Sequence, residues 1–118
     1  MVTIDLTQTE YQKTLKVLSY DKDNKVYMTE SQISAIDFDI VKGTYSSQLK
    51  LEHVASNDAL LIHNKHFFIE FKNGKVVPHE IQKKVYDSCY ILSKILKLDA
   101  ASLTESTEFI LVYNPDKC

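Results

Sequence analysis

The feature that most limits how this chain can fold is the stretch NDALLIHNKHFFIEFKNGK, residues 57–75. Two apolar runs, rich in aromatic and aliphatic residues, flank a short polar turn, the pattern of a β-hairpin. Strands over about 58–63 and 66–72 follow. Side chains alternate along a strand, so Glu70 and Lys72 share one face, about 7 Å apart. Phe67, Ile69 and Phe71 take the other, expected to be the better buried. The turn decides what meets them. A three-residue loop, His63-Asn64-Lys65, pairs Ile62 with His66, Leu60 with Phe68 and Asp58 with Glu70. Opposed residues then point the same way, with Cβ atoms about 5 Å apart. A two-residue loop would put Asp58 on the opposite face.

Under the three-residue register two carboxylates and an ammonium converge. Opposed carboxylates repel unless a cation relieves them. Carboxylate oxygens around an open position suit Mg²⁺ or Mn²⁺. Lys72 beside them could orient a water or stabilise charge developing on a phosphate. The competing account from these residues alone is a solvated Glu70–Lys72 salt bridge with no further role.

Elsewhere, Tyr11, Leu15 and Leu18 have helical spacing over 7–19, with Thr7 or Thr9 to cap. YDKDNKVYM reads as a turn. TESQISAIDFDIVKG predicts a second helix, capped by Thr29 and stopped by Gly43, although Ile36, Phe38 and Ile40 also alternate as a strand would. SQLKLEHV, 47–54, reads as a first strand. Pro78 suits a helix start, and Ile81, Val85, Cys89, Leu92 and Leu96 make an apolar stripe over a helix at about 78–97. TEFILVYN closes with a strand. The sum is an α+β domain, a sheet with helices packed on it.

At 118 residues the chain forms one domain, 1–118, with an N-terminal helical region over 7–43 and a core over about 49–113. Its 44% apolar and 25% charged residues are those of an ordinary globular protein. No run is long enough for a membrane span, and the first ten residues lack a signal peptide's basic start and apolar run, so the expected compartment is the cytoplasm. A net charge of −2 argues against binding DNA through unspecific counterion release, though not against a nuclease whose metal adds local positive charge. Cys89 and Cys118 show no ligand spacing and read as a small core residue and a loose terminal thiol. His63 and His66 read as turn residues, His53 and His79 as surface residues. Asp37 and Asp39 are expected to be exposed. Lys83 and Lys84 read as a solvated helix face, with phosphate contact near the helix start as the functional alternative.

Asn57-Asp58, Glu70-Phe71-Lys72 and the helix after them together resemble the PD-(D/E)xK nuclease superfamily, the restriction-endonuclease-like fold. That family carries an acidic residue early in one strand, (Asp/Glu)-x-Lys in the next and then a helix. Asn57 stands where the family has proline. Gln82-Lys83-Lys84-Val85-Tyr86 is similar to the QxxxY motif of the RecB-type exonuclease branch, and positions i and i+4 share a helix face. The resemblance spans roughly 49–113 and implies an αβββαβ core with a mixed sheet flanked by helices. It implies a Mg²⁺- or Mn²⁺-dependent nuclease hydrolysing phosphodiester bonds, in DNA rather than RNA. Asp58, Glu70 and Lys72 would be catalytic, with Asp58, Glu70 and Glu52 on the metal; Glu10 and Glu30 are the other candidates for the third acid. Gln82, Tyr86 and Lys83 would bind the nucleic acid. A homodimer or partner subunit would supply elements this small domain lacks. The alternative is a catalytically inactive module on the same fold, acting in protein or nucleic-acid binding.

Overall fold

The computed structural model describes residues 3–117. Cys118 lies outside the described residues. A single 3₁₀ turn, Thr9–Tyr11, leads into β1 (Gln12–Thr14), and α1 (Leu15–Leu18) follows directly, capped by Thr14 Oγ1 on the Val17 amide. β2 (Tyr20–Asp21) and β3 (Val26–Tyr27) form a small ribbon of their own. Then come β4 (Ser34–Asp37), α2 (Phe38–Leu49), β5 (Ala59–His63), β6 (Lys65–Lys72), α3 (Pro78–Leu96), α4 (Ala100–Glu105) and β7 (Thr107–Tyr113). The five-stranded sheet runs β1-β4-β5-β6-β7, antiparallel except for the parallel β6–β7 pair that α3 and α4 connect.

The hairpin register is the three-residue one. Ile62 pairs with His66 and Leu60 with Phe68, while His63 and Lys65 still face each other and leave Asn64 alone at the apex. Asn64 sits at φ 61°, the left-handed region that asparagine tolerates better than most residues.

Three secondary-structure expectations are overturned. The helix over 7–19 is a 3₁₀ turn, a strand and one short helix. The helix expected from Thr29 is instead a strand up to Asp37 and then a helix. Asp37 caps that helix through Oδ1 on the Ile40 amide, and Gly43 lies inside it rather than ending it. Ile36 belongs to the strand and Ile40 to the helix, which is why both periods fitted. Finally, 47–54 is no strand. Its alternation falls on the last turn of α2 and a following loop, with Lys50 at φ 55° ending the helix and His53 at φ 60° in that loop. The long helix α3 ends in the same way, on Lys97 at φ 56°. α4 had no clear signal in the sequence.

The two sheet faces are unequal. Ile36, Leu60 and Phe68 pack under Phe38, Val41 and Tyr45 of α2, Ile91 and Leu92 of α3 and Leu103 of α4. The other face holds a smaller cluster of Leu15, Ala35, Ala59 and Ile69 beneath α1. Completely burying side chains such as Phe68 and Leu60 contributes about 1.5–3 kcal/mol each. The expectation that Phe67 and Phe71 mark the better-buried face is therefore wrong. Both are half-buried and only Ile69 of the β6 residues on that face is buried, whereas Phe68 and Glu70, on the helix-covered face, are sealed. Among the described residues no helix is long and apolar enough to cross a membrane.

Candidate functional site

The site forms where β5 begins beside the end of β6. The chain from 53 to 57 is strapped onto α3: Lys83 Nζ donates to the His53 carbonyl (2.9 Å), and Asp87 Oδ2 accepts from the Ala55 amide (3.0 Å). Ser88 Oγ accepts from the Asn57 amide at 2.8 Å. Lys83 also binds Asp87 at 2.6 Å, so it works as a structural tie rather than a free phosphate contact.

From Asn57 the register carries Asp58 to the place opposite Glu70. Asp58 Oδ2 accepts the Phe71 amide at 2.8 Å, and the Asp58 carbonyl accepts the amide of Phe38. Its other oxygen, Oδ1, takes no hydrogen bond among the described residues. Burial, then the neighbouring Glu70 charge, pushes the Asp58 carboxyl up to about 7, against the opposing pull of the Phe71 amide and of Lys84. Two carboxylates that close together cannot both ionise without cost.

Glu70 is 3% exposed. Lys84 Nζ donates to Oε2 at 2.5 Å and Asn57 Nδ2 donates to Oε1 at 3.2 Å. Desolvation pulls the Lys84 ammonium down, but its hydrogen bond to Glu70 and the charges of Glu70, Asp58 and Asp39 outweigh that and leave it raised. Lys84 is thus no solvated surface lysine. Asn57, 2% exposed, has its carbonyl oxygen buried without a partner. An orphaned buried acceptor costs about 1–3 kcal/mol.

Asp58, Phe71 and Lys72 line a groove of about 400 Å³ whose other wall is built by Leu18, Asp21 and Asn73. Lys72 is half-buried there; its carbonyl accepts from the Asn114 amide, and its ammonium has no ion-pair or hydrogen-bond partner among the described residues. Asn73 Nδ2 donates to Asp21 Oδ2 at 2.9 Å and ties the β2–β3 ribbon to this end of the sheet.

The expected third acid does not arrive. Glu52 is exposed on a loop with His53 at 4.0 Å, Glu10 is exposed on the 3₁₀ turn, and Glu30 pairs with Lys16 at 3.0 Å. Asp39, exposed as expected, is a third carboxylate whose charge, after that of Glu70, reaches Asp58. Asp39 is exposed as a residue, but the protein around its carboxylate desolvates it and raises it, against the hydrogen bond donated by Ser56 Oγ at 2.5 Å. Asp37 is buried and paired with Lys13 at 2.7 Å, contrary to the expectation of exposure.

Gln82 and Tyr86 share a helix face and bond each other at 3.1 Å. They do not overlook Glu70. Two residues of helix turn about 200°, so Lys84 faces the sheet while Gln82 and Tyr86, the latter 63% exposed, face out beside the α3–α4 groove with Tyr90 and Phe109. His63, His53 and His79 are exposed, while His66 is half-buried with Nδ1 3.3 Å from Ser106 Oγ.

Among the described residues no three His, Cys, Asp or Glu side chains converge on a position that would hold a metal by themselves. Mg²⁺ does not require that, because it usually binds through one or two carboxylates and keeps several waters. Asp58 lines the groove, while Glu70 and the orphaned Asn57 oxygen, both buried, are oxygen groups of the kind such an ion takes. No protein-family description, curated protein or solved structure matches this chain.

Proposed function

We propose that the protein is a metal-dependent nuclease domain that hydrolyses phosphodiester bonds in DNA. The observation that carries this reading is the hairpin register, whose last pair, Ala59 with Ile69, leaves Asp58 and Glu70 as the next residues on the two strands, with Glu70's charge acting on Asp58 and with Asp58 and Lys72 lining one groove. The order β4-β5-β6-α3-β7, antiparallel and then parallel, supports this reading by following the βββαβ sequence that the resemblance to PD-(D/E)xK nucleases implies, with β4 in place of the strand expected at 47–54. Here a strand, β1, precedes it and α2 intervenes between its first two strands.

Asp58 and Glu70 would hold Mg²⁺ or Mn²⁺, which when bound polarises a phosphate oxygen and lowers the pKa of a water. The Lys72 ammonium has no partner among the described residues, so it is available to hold the scissile phosphate or an attacking water in line. The α1 and β2–β3 side of the groove limits the approach. Gln82 and Tyr86 lie on the outer face of α3, where they would support a strand running past the site rather than into it.

The test is cleavage of linear single- and double-stranded DNA with Mg²⁺ or Mn²⁺ by the wild type, Asp58→Ala and Lys72→Ala, with circular dichroism to check folding. Loss of one electrostatic contributor costs about 10²–10³ in rate. Folded variants that cleave as well as the wild type would sink the proposal.

One observation favours a second reading. Both oxygens of Glu70 already have protein donors, which suits a non-catalytic module that keeps the fold for binding. Titration calorimetry separates the two, since heat of Mn²⁺ binding that disappears in Asp58→Ala belongs only to the first.

A further inference from the structure

Lys84 projects from the early turns of α3 into a position surrounded by carboxylates. Its ammonium donates to Glu70 Oε2 at 2.5 Å and stands within electrostatic reach of Asp58 and Asp39. It therefore meets the same needs a divalent cation would meet there. Two further facts indicate that this arrangement can be exchanged. The Lys84 side chain keeps 32% of its surface exposed, so its flexible stem has solvent to move into, and Asp39 offers the ammonium another carboxylate. Beside Glu70, Asn57 turns its amide nitrogen to the carboxylate, which leaves its buried oxygen, in a residue only 2% exposed, without a donor. A buried amide oxygen next to a carboxylate is a ligand that a hard cation accepts and an ammonium bound on Glu70's far oxygen leaves unused.

We infer that Lys84 and a divalent cation compete for Glu70. The lysine is the counter-ion of the metal-free site, and the metal gains Glu70 only as the ammonium leaves it. This rests on the reading of Asp58 and Glu70 as a metal-binding pair. Its consequence is a site that binds metal weakly by construction and stays charge-balanced without it.

Mn²⁺ titration of the full chain by calorimetry and electron paramagnetic resonance tests the competition. Lys84→Met should bind Mn²⁺ roughly tenfold more tightly, within the usual span of coupling between two binding events. Lys84→Arg should bind like the wild type. Should Lys84→Met not fold, Lys84→Gln, which keeps a neutral donor, carries the same expectation. A folded neutral variant that binds no more tightly than a binding wild type overturns the competition alone. A second arm needs no metal: thermal midpoints of Lys84→Met, Glu70→Gln and the double variant in chelator. The double variant should recover part of what Lys84→Met loses; strictly additive losses overturn the counter-ion assignment. If the pair is coupled but no variant binds Mn²⁺, the metal reading itself fails, and the competition fails with it.

Discussion

Ser88, a fully buried serine on the sheet-facing side of α3, holds the backbone amide of Asn57 at 2.8 Å. Asp58 follows immediately, so a helix hydroxyl fixes where β5 presents its acid. Ser88→Ala leaves a buried amide without an acceptor and should cost about 1–3 kcal/mol in urea unfolding. It should also weaken Mn²⁺ binding, because Asp58 loses its anchor. Stability unchanged within about 0.5 kcal/mol would show that the amide finds another acceptor.

The raised Asp58 proton affinity makes stability depend on pH. Its value goes from 3.8 to about 7 on folding, so the folded state holds a proton across that interval that the unfolded chain has released. Stability from this group is complete below about 4 and is lost as pH rises through about 7. Asp58→Asn removes the effect and can still accept the Phe71 amide. In chelator, the variant should match the wild type near pH 4 and exceed it above neutrality, by on the order of 4 kcal/mol at most. Parallel stability curves across that range would contradict the assignment.

Asp37 does two jobs, capping α2 at the Ile40 amide and pairing with Lys13. Asp37→Ala should cost about 1–2 kcal/mol. Asp37→Asn keeps a cap but loses the charge pair, and should cost measurably less. Equal losses in thermal unfolding would mean that the bridge between β1 and β4, rather than the cap, carries the residue's contribution.

If a nucleic-acid strand runs along the outer face of α3, the exposed pair Gln82 and Tyr86 should matter for binding and hardly at all for folding. Gln82→Ala and Tyr86→Ala should leave stability within about 0.5 kcal/mol. Fluorescence anisotropy with a labelled single-stranded oligonucleotide should show weaker binding, with Tyr86→Ala losing about 1–3 kcal/mol of base stacking. Unchanged affinity in both would remove them from the interface.

The hairpin was readable because strand parity is rigid: once Asn64 marks the apex, every pair down to Asp58 and Glu70 follows by counting. The long helix was readable from Ile81, Val85, Cys89, Leu92 and Leu96, yet that stripe missed its chemistry. The residues of α3 nearest the site are Lys84 and Ser88, polar because the opposing surface there offers Glu70 and the Asn57 amide instead of an apolar residue. A hydrophobic pattern cannot report a polar seam. Asp39 was missed for a related reason, since only the fold brings the start of α2 to the start of β5. At Ile36 and Ile40, four residues apart, the two periods coincide, and the choice between them rests on β5, which takes Ile36 as the partner of Leu60. Sequence spacing had no access to that contact.

The helix ends described above leave room for engineering. α2 and α3 both finish on lysines held in left-handed backbone, Lys50 and Lys97, while Gly43 lies in the middle of α2 with open space where a Cβ would go. Lysine in that conformation and glycine in a helix interior each cost about 1 kcal/mol. Exchanging the roles, with Lys50→Gly, Lys97→Gly and Gly43→Ala, should therefore add several degrees to the melting temperature. All three positions lie away from the groove. A thermally hardened version of this protein is thus within reach of three surface changes, and it would be a sturdier background for the costly substitutions that the acidic site requires.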